Sequence, residues 1–111
     1  MEEDFAVRYG PRLRAELAEL RAASEGALEA RRPVELDQQS VGRLSRMDAL
    51  QGQAMAQAVD VRRAARQRVV EAALSRLESG EFGWCEACGE HIGVKRLDLD
   101  PTLVRCVGCA R

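Results

Sequence analysis

The residues most able to do chemistry in this 111-residue chain are four cysteines, all in its last quarter: Cys85, Cys88, Cys106 and Cys109. They form two C-x2-C pairs separated by seventeen residues, the arrangement in which four thiolates close around one tetrahedral zinc ion. A two-residue gap lets both sulfurs of a knuckle reach the same ion. Gly89 follows the first pair and Gly108 lies inside the second, where a backbone without Cβ would let each turn close. Four thiolates and a divalent ion leave a local charge of about −2, which Lys95, Arg96 and Arg105 are placed to offset. Phe82, Trp84, Ile92, Val94, Leu97, Leu103 and Val104 are expected to form an apolar shell around the ion.

Four thiolates leave no open position for water, so the expected zinc is structural rather than catalytic. A thioredoxin-like redox pair would need a βαβ setting, which this sequence does not offer. His91 could replace a cysteine as ligand, but with four thiolates present it reads as a surface residue. Asp98 and Asp100, flanking Leu99 before Pro101, read as turn chemistry rather than an acid–base pair. No nucleophile–base constellation or phosphate loop accompanies the cysteines, and the chain is not expected to be an enzyme.

What must position the cysteines is helical. Hydrophobic residues make up 46% of the chain but only 4% is aromatic, so the apolar content is mainly Ala, Leu and Val, the composition of helix seams. Leu13, Leu17, Leu20, Ala23, Ala27 and Leu28 recur at three-to-four spacing and predict a helix over about 3–31. Pro11 lies near its start and Pro33 stops it. A second stripe, Leu44, Met47, Leu50, Ala54, Ala58, Val61, Ala65, Val69, Ala72 and Leu77, predicts a helix over about 41–79. Asp37 or Ser40 would supply its N-cap and Gly80 its stop. At about 1.5 Å per residue these helices measure roughly 40 and 60 Å. They are expected to pack as an antiparallel coiled-coil hairpin with its tip at about 32–40. The fold class is thus mainly α, with the hairpin over 1–80 and a small four-cysteine zinc finger over 81–111. A turn at 32–37 would lay the first helix over the first part of the second. The apolar face near Val69 to Leu77 would then be buried by the finger or by Phe5 and Tyr9. Pairing of helices between chains, in a dimer, is the alternative to a monomeric hairpin.

Charge narrows the function classes. Seventeen basic and eighteen acidic side chains give a net charge of −1, unlike a general nucleic-acid coat. The stretch 85–109 has three basic and four acidic residues, a poor match to a DNA-reading zinc module. No apolar run reaches the roughly 20 residues that cross a bilayer, and the acidic start (Glu2, Glu3, Asp4) is unlike a signal peptide; a reducing cytoplasm is the expected compartment. One basic run, Arg62, Arg63, Arg66 and Arg68, has no acid among it. It reads as a solvated helix face or as a contact patch for the acidic rim of a partner or a nucleotide's phosphates.

The stretch Cys85-Glu-Ala-Cys88-Gly-Glu-His-Ile92-Gly-Val-Lys-Arg96-Leu-Asp-Leu-Asp-Pro101, continuing to Cys106-Val-Gly-Cys109, resembles the zinc finger of the DksA/TraR family, as does Gly83-Trp84 before it. The resemblance implies a bacterial regulator that binds RNA polymerase rather than DNA and inserts its hairpin into the polymerase's secondary channel. It also implies that acidic tip residues act on transcription initiation, in the stringent response often together with guanosine tetraphosphate. The family's tip carries two aspartates with an alanine two places after the second. The link here supplies Glu35 and Asp37, with Asp48–Ala49 as the alternative if the bend comes later. A scaffold or interaction protein of the same fold without an active tip is the alternative within the family.

Overall fold

The computed structural model describes residues 4–30 and 43–110. Three helices follow in order: α1 (Phe5–Ala30), α2 (Arg43–Ser79) and the short α3 (Val94–Leu99). The Asp4 side chain opens α1, its Oδ1 accepting from the amides of Ala6 and Val7 at 3.1 and 3.3 Å. Pro11 lies in the second turn and α1 continues through it. Gly80 stops α2, as expected, and the amide of Glu81 turns back to the carbonyl of Arg76 at 3.0 Å. The expected caps Asp37 and Ser40, and Pro33, lie outside the described residues.

α1 and α2 pack side by side in an antiparallel hairpin. Arg21 reaches Glu71 at 3.5 Å while Ser24, one turn on, accepts from Gln67 at 3.1 Å, so the two chains run in opposite directions. The molecule is a rod of 69 × 29 × 19 Å. No helix among the described residues is long and apolar enough to cross a membrane.

The register of the hairpin differs from the expected one. The apolar residues of α1 are concentrated in its first half, where Tyr9, Leu13 and Leu17 are buried and Leu20 packs against them. Their partners on α2 are Val70, Ala73, Leu74 and Leu77, near its C-terminus. α1 therefore covers the second half of α2 rather than the first. Met47, Leu50 and Met55, on the other half, are 59%, 66% and 71% exposed. The seam on α2 is also shifted. Val69 and Ala72, expected inside, are exposed, and the adjacent Val70 and Ala73 are buried instead. At about 100° per residue, Leu50, Ala54, Val61 and Ala72 lie roughly on the side of α2 opposite Val70. Burial of each large apolar side chain of this core contributes on the order of 2 kcal/mol.

The core continues without a break into the C-terminal segment. Phe82, Cys85, Ile92 and Leu97 belong to the same buried cluster as Tyr9 and Leu13. The expected partners of the helix base are found there: Phe5 and Tyr9 form an aromatic cluster with Phe82, at centroid distances of 5.7 and 5.4 Å from it. Polar contacts add to this packing. Arg8 donates to both carboxylate oxygens of Asp98, from Nε at 3.0 Å and from Nη2 at 2.7 Å. The Tyr9 hydroxyl donates to Asp98 Oδ1 at 2.8 Å. Arg12 caps the end of α3 by donating to the carbonyls of Asp98 and Leu99 at 2.6 and 3.3 Å. Asp98 is thus a joint between α3 and α1, not only turn chemistry. Asp100 does act as a turn residue, accepting from the amide and hydroxyl of Thr102 at 3.0 and 2.7 Å.

Candidate metal centre

The first cysteine pair sits in a tight hairpin. The amide of Cys85 donates to the carbonyl of Glu90 at 2.8 Å, and that of Ile92 to the carbonyl of Gly83 at 2.8 Å, which places Trp84 opposite His91. Gly89 closes this knuckle with φ of 76°, a conformation in which a side chain would be strained, and its amide returns to the carbonyl of Cys85 at 2.9 Å. The second pair forms a turn in which the amides of Cys109 and Ala110 both donate to the carbonyl of Cys106, at 3.1 and 3.0 Å. Gly108, expected to relax that turn in the same way, has no positive φ. The two knuckles are tied by the amide of Glu86 on the carbonyl of Val104 at 2.8 Å and by Arg105 on Glu86 at 3.2 Å.

These ties bring Cys85, Cys88, Cys106 and Cys109 together, their Sγ atoms all within 4.8 Å of one another. Cys88 Sγ and Cys106 Sγ are 3.7 Å apart. A zinc ion with four sulfurs at about 2.3 Å in a tetrahedron needs sulfur–sulfur separations of about 3.8 Å. The donor set and its dimensions fit that ion, which would add a cross-link between the knuckles when bound. Among the described residues it is the only group of metal-ligating side chains so arranged.

The thiols' own electrostatics point the same way. The amides of Cys106, Cys88 and Ala87 face the Cys85 sulfur and hold its thiol down to about 6, against a burial that opposes ionisation. Cys109 is pushed up to about 12 by the crowding of Cys106, Cys88 and Cys85. The site therefore readily carries its first thiolate and resists the last, and a divalent cation is what would let all four ionise together.

Around the sulfurs, Phe82, Ile92 and Leu97 are buried as expected, whereas Trp84 is 52% exposed and is not part of the shell. His91 is exposed, is not among the clustered sulfur ligands, and accepts through Nδ1 from the Gly93 amide at 3.0 Å. Of the expected counter-charges, Arg105 is spent on Glu86 and Arg96 on the carbonyl of Arg105 at 3.0 Å.

Residues 80–111 match the prokaryotic dksA/traR C4-type zinc finger. The RNA polymerase-binding transcription factors DksA of Haemophilus influenzae and of Escherichia coli K12 are 45% and 42% identical over 40 residues. That stretch is 36% of this chain and only 28% and 26% of theirs, so the chain spans about a quarter of the length of the curated relatives it matches. The structure of transcription factor DksA2 from Pseudomonas aeruginosa superposes with a TM-score of 0.82 at 25% identity, over 98% of this chain and 82% of that one. Residues 80–111 are a zinc finger of the DksA/TraR type, and the chain as a whole has the fold of DksA2. Finger and hairpin thus both have counterparts in that family, the finger by sequence and the whole rod by shape.

The remaining sequence-derived sites are scattered. Glu35 and Asp37 lie outside the described residues. Asp48 and Ala49 lie in the second turn of α2 and are exposed. The basic run divides: Arg63 pairs with Asp60 at 3.0 Å and Arg66 binds Glu16, while Arg62 and Arg68 point to solvent. Sequence reasoning missed Arg66 as a structural residue because its partners are 34 to 50 positions away.

Proposed function

We propose that this chain is a zinc-bound regulator that binds RNA polymerase through the secondary channel and modulates transcription initiation without reading DNA sequence. The observation that carries the reading is the likeness to DksA2 over 98% of the chain, a 69 Å rod that includes a four-cysteine base. A rod 19 to 29 Å across can enter a channel that excludes a globule of the same mass. In this reading residues 1–80 form the inserting hairpin and 81–111 its base. Glu35 and Asp37 carry negative charge at the tip, where carboxylates would act on the polymerase's catalytic magnesium and mobile elements. Arg62 and Arg68 would be available to the acidic rim of the partner. The chain works as a monomer in the cytoplasm, is not an enzyme, and takes guanosine tetraphosphate as a co-regulator at the polymerase interface.

The test is transcription from a ribosomal promoter with purified polymerase, with and without guanosine tetraphosphate. The wild-type chain should bind polymerase, be displaced by another secondary-channel factor, and alter initiation. The Glu35→Ala, Asp37→Ala variant should bind equally and lose the effect. Failure of the wild type to bind polymerase overturns the reading. A double variant that still alters initiation overturns the tip assignment alone.

A further inference from the structure

We propose that Trp84, with the rings beneath it, forms a docking site on the finger for an arginine-bearing segment of a protein partner. The proposal is independent of the polymerase reading. Trp84 is 52% exposed, yet it is not a loose surface side chain. Its ring meets His91 edge-on at 5.3 Å and 87°. His91 stacks on Phe5 at 5.3 Å and 23°, and Phe5 packs on Phe82, which is buried. The ladder of rings runs from solvent into the core. It is close-packed because residue 83 is glycine: a Cβ there would stand 3.1 Å from His91 Nε2 and 3.3 Å from Phe5 Cε2, at a φ of 91°. A ring held in this way gives up little conformational entropy when a partner covers it, which is why tryptophan dominates protein contacts.

Charge selects the partner. From Glu78 to Val94 the sequence contains four glutamates, Glu78, Glu81, Glu86 and Glu90, and no lysine or arginine. All four are exposed, as is Asp4 at the start of the helix that carries Phe5; Glu86 is already paired with Arg105, so the acceptors offered to a partner are Glu78, Glu81 and Glu90. An indole face attracts a guanidinium, and carboxylates of the same segment can accept its N–H groups. The same carboxylates repel phosphate, so a nucleic acid is the wrong occupant. The aromatic surface needs a planar cation that can stack, and arginine supplies it better than lysine.

The zinc-loaded full chain is titrated at physiological salt with a blocked arginine-rich peptide. Trp84, the only tryptophan in the chain, reports binding through its own emission. A fluorescently labelled peptide gives the affinity by anisotropy. Saturable binding with a shift in Trp84 emission is expected. Trp84→Ala should weaken it about tenfold with metal content and helicity unchanged, and Trp84→Phe should retain part of the affinity. Glu81→Gln with Glu90→Gln should weaken it and reduce its dependence on salt. The proposal is overturned if the Trp84→Ala variant binds as the wild type does. It is equally overturned if a glutamate-substituted peptide or a single-stranded oligonucleotide binds as tightly as the arginine peptide, or if no saturable binding occurs.

Discussion

Arg66 on α2 grips Glu16 on α1 with two parallel hydrogen bonds, Nε to Oε2 at 2.6 Å and Nη2 to Oε1 at 3.0 Å. The same guanidinium donates to Asp100 Oδ1 at 3.3 Å and to the Thr102 hydroxyl at 3.1 Å. One side chain thus joins both helices to the finger. Glu16, first, and Asp100 hold the charged form of Arg66 well beyond the ordinary arginine range.

Arg66→Ala should therefore loosen three elements at once. The side chain is about one-third exposed, and solvent screening sets the loss at the lower end of the range for charged hydrogen bonds, about 1–2 kcal/mol. That corresponds to a fall in melting temperature on the order of 5–10 °C for a chain of this size. Arg66→Lys should recover only part of it, because a lysine cannot make the paired contact with Glu16. Thermal melts followed by circular dichroism check both variants, and equal stability of Arg66→Ala and wild type refutes the role.

Acid should undock the finger from α1. Arg8, and then Tyr9, hold the Asp98 carboxyl below the usual carboxylate range. A folded-state value below the unfolded one stabilises the protein above the unfolded value, about 3.9, and that contribution is lost as the pH falls through the folded one. Tyr9 gives the opposite limb: burial, and next its hydrogen bond to Asp98, raises its phenol, so its contribution is present below about 10 and is lost in stronger alkali. Melting temperature against pH should thus be flat with respect to Asp98 near neutrality and fall below about 4. Asp98→Asn should lower the plateau and flatten the acid limb, and an unchanged acid limb would count against the contact.

How much of this was legible in the sequence depends on how far apart the interacting residues lie. The metal site needed only local spacing: two C-x2-C pairs define the knuckles and Gly89 closes the first, while the structure adds that the pairs meet and that the second turn closes without a positive φ at Gly108. The two helices were equally legible, because their apolar residues recur within each helix. Their register was not. A run such as Val69-Val70 or Ala72-Ala73 offers two adjacent choices of seam, and nothing within α2 selects Val70 and Ala73. The choice is made by Tyr9, Leu13 and Leu17, some sixty residues earlier in the chain. The same holds for Asp98, which looks like a turn residue until Arg8 and Tyr9 are placed beside it. Exposure of Trp84 was missed because an aromatic next to a metal ligand looks like a shield, and only the backbone pairing with His91 turns it outward.

Phe5→Ala tests the aromatic base. Phe5 contacts Tyr9, Phe82 and His91 at centroid distances of 5.9, 5.7 and 5.3 Å, and it is only half-buried. Truncation should cost about 1–3 kcal/mol, below the value for a fully buried phenylalanine. It should also raise hydrogen exchange in the first turns of α1 while leaving the middle of α2 unaffected. Unchanged melting temperature would mean that Phe5 does not help to join hairpin and finger.

Removal of zinc should act on both sides of that junction. In zinc fingers of this kind the free energy of metal binding is folding free energy, so a strong chelator is expected to unfold residues 81–110. The first turns of α1 should follow, because Arg8, Tyr9 and Arg12 all make hydrogen bonds to the segment Asp98–Leu99, which the finger must hold in place. The middle of α2 should persist for as long as Leu17 and Leu20 stay packed on it. Circular dichroism should thus show a partial loss of helix, and hydrogen exchange should place that loss in the first two turns of α1 and in α3. Cys106→Ala should reproduce the effect without chelator. Loss of the finger with full protection of residues 5–13 would show that α1 is held by α2 alone.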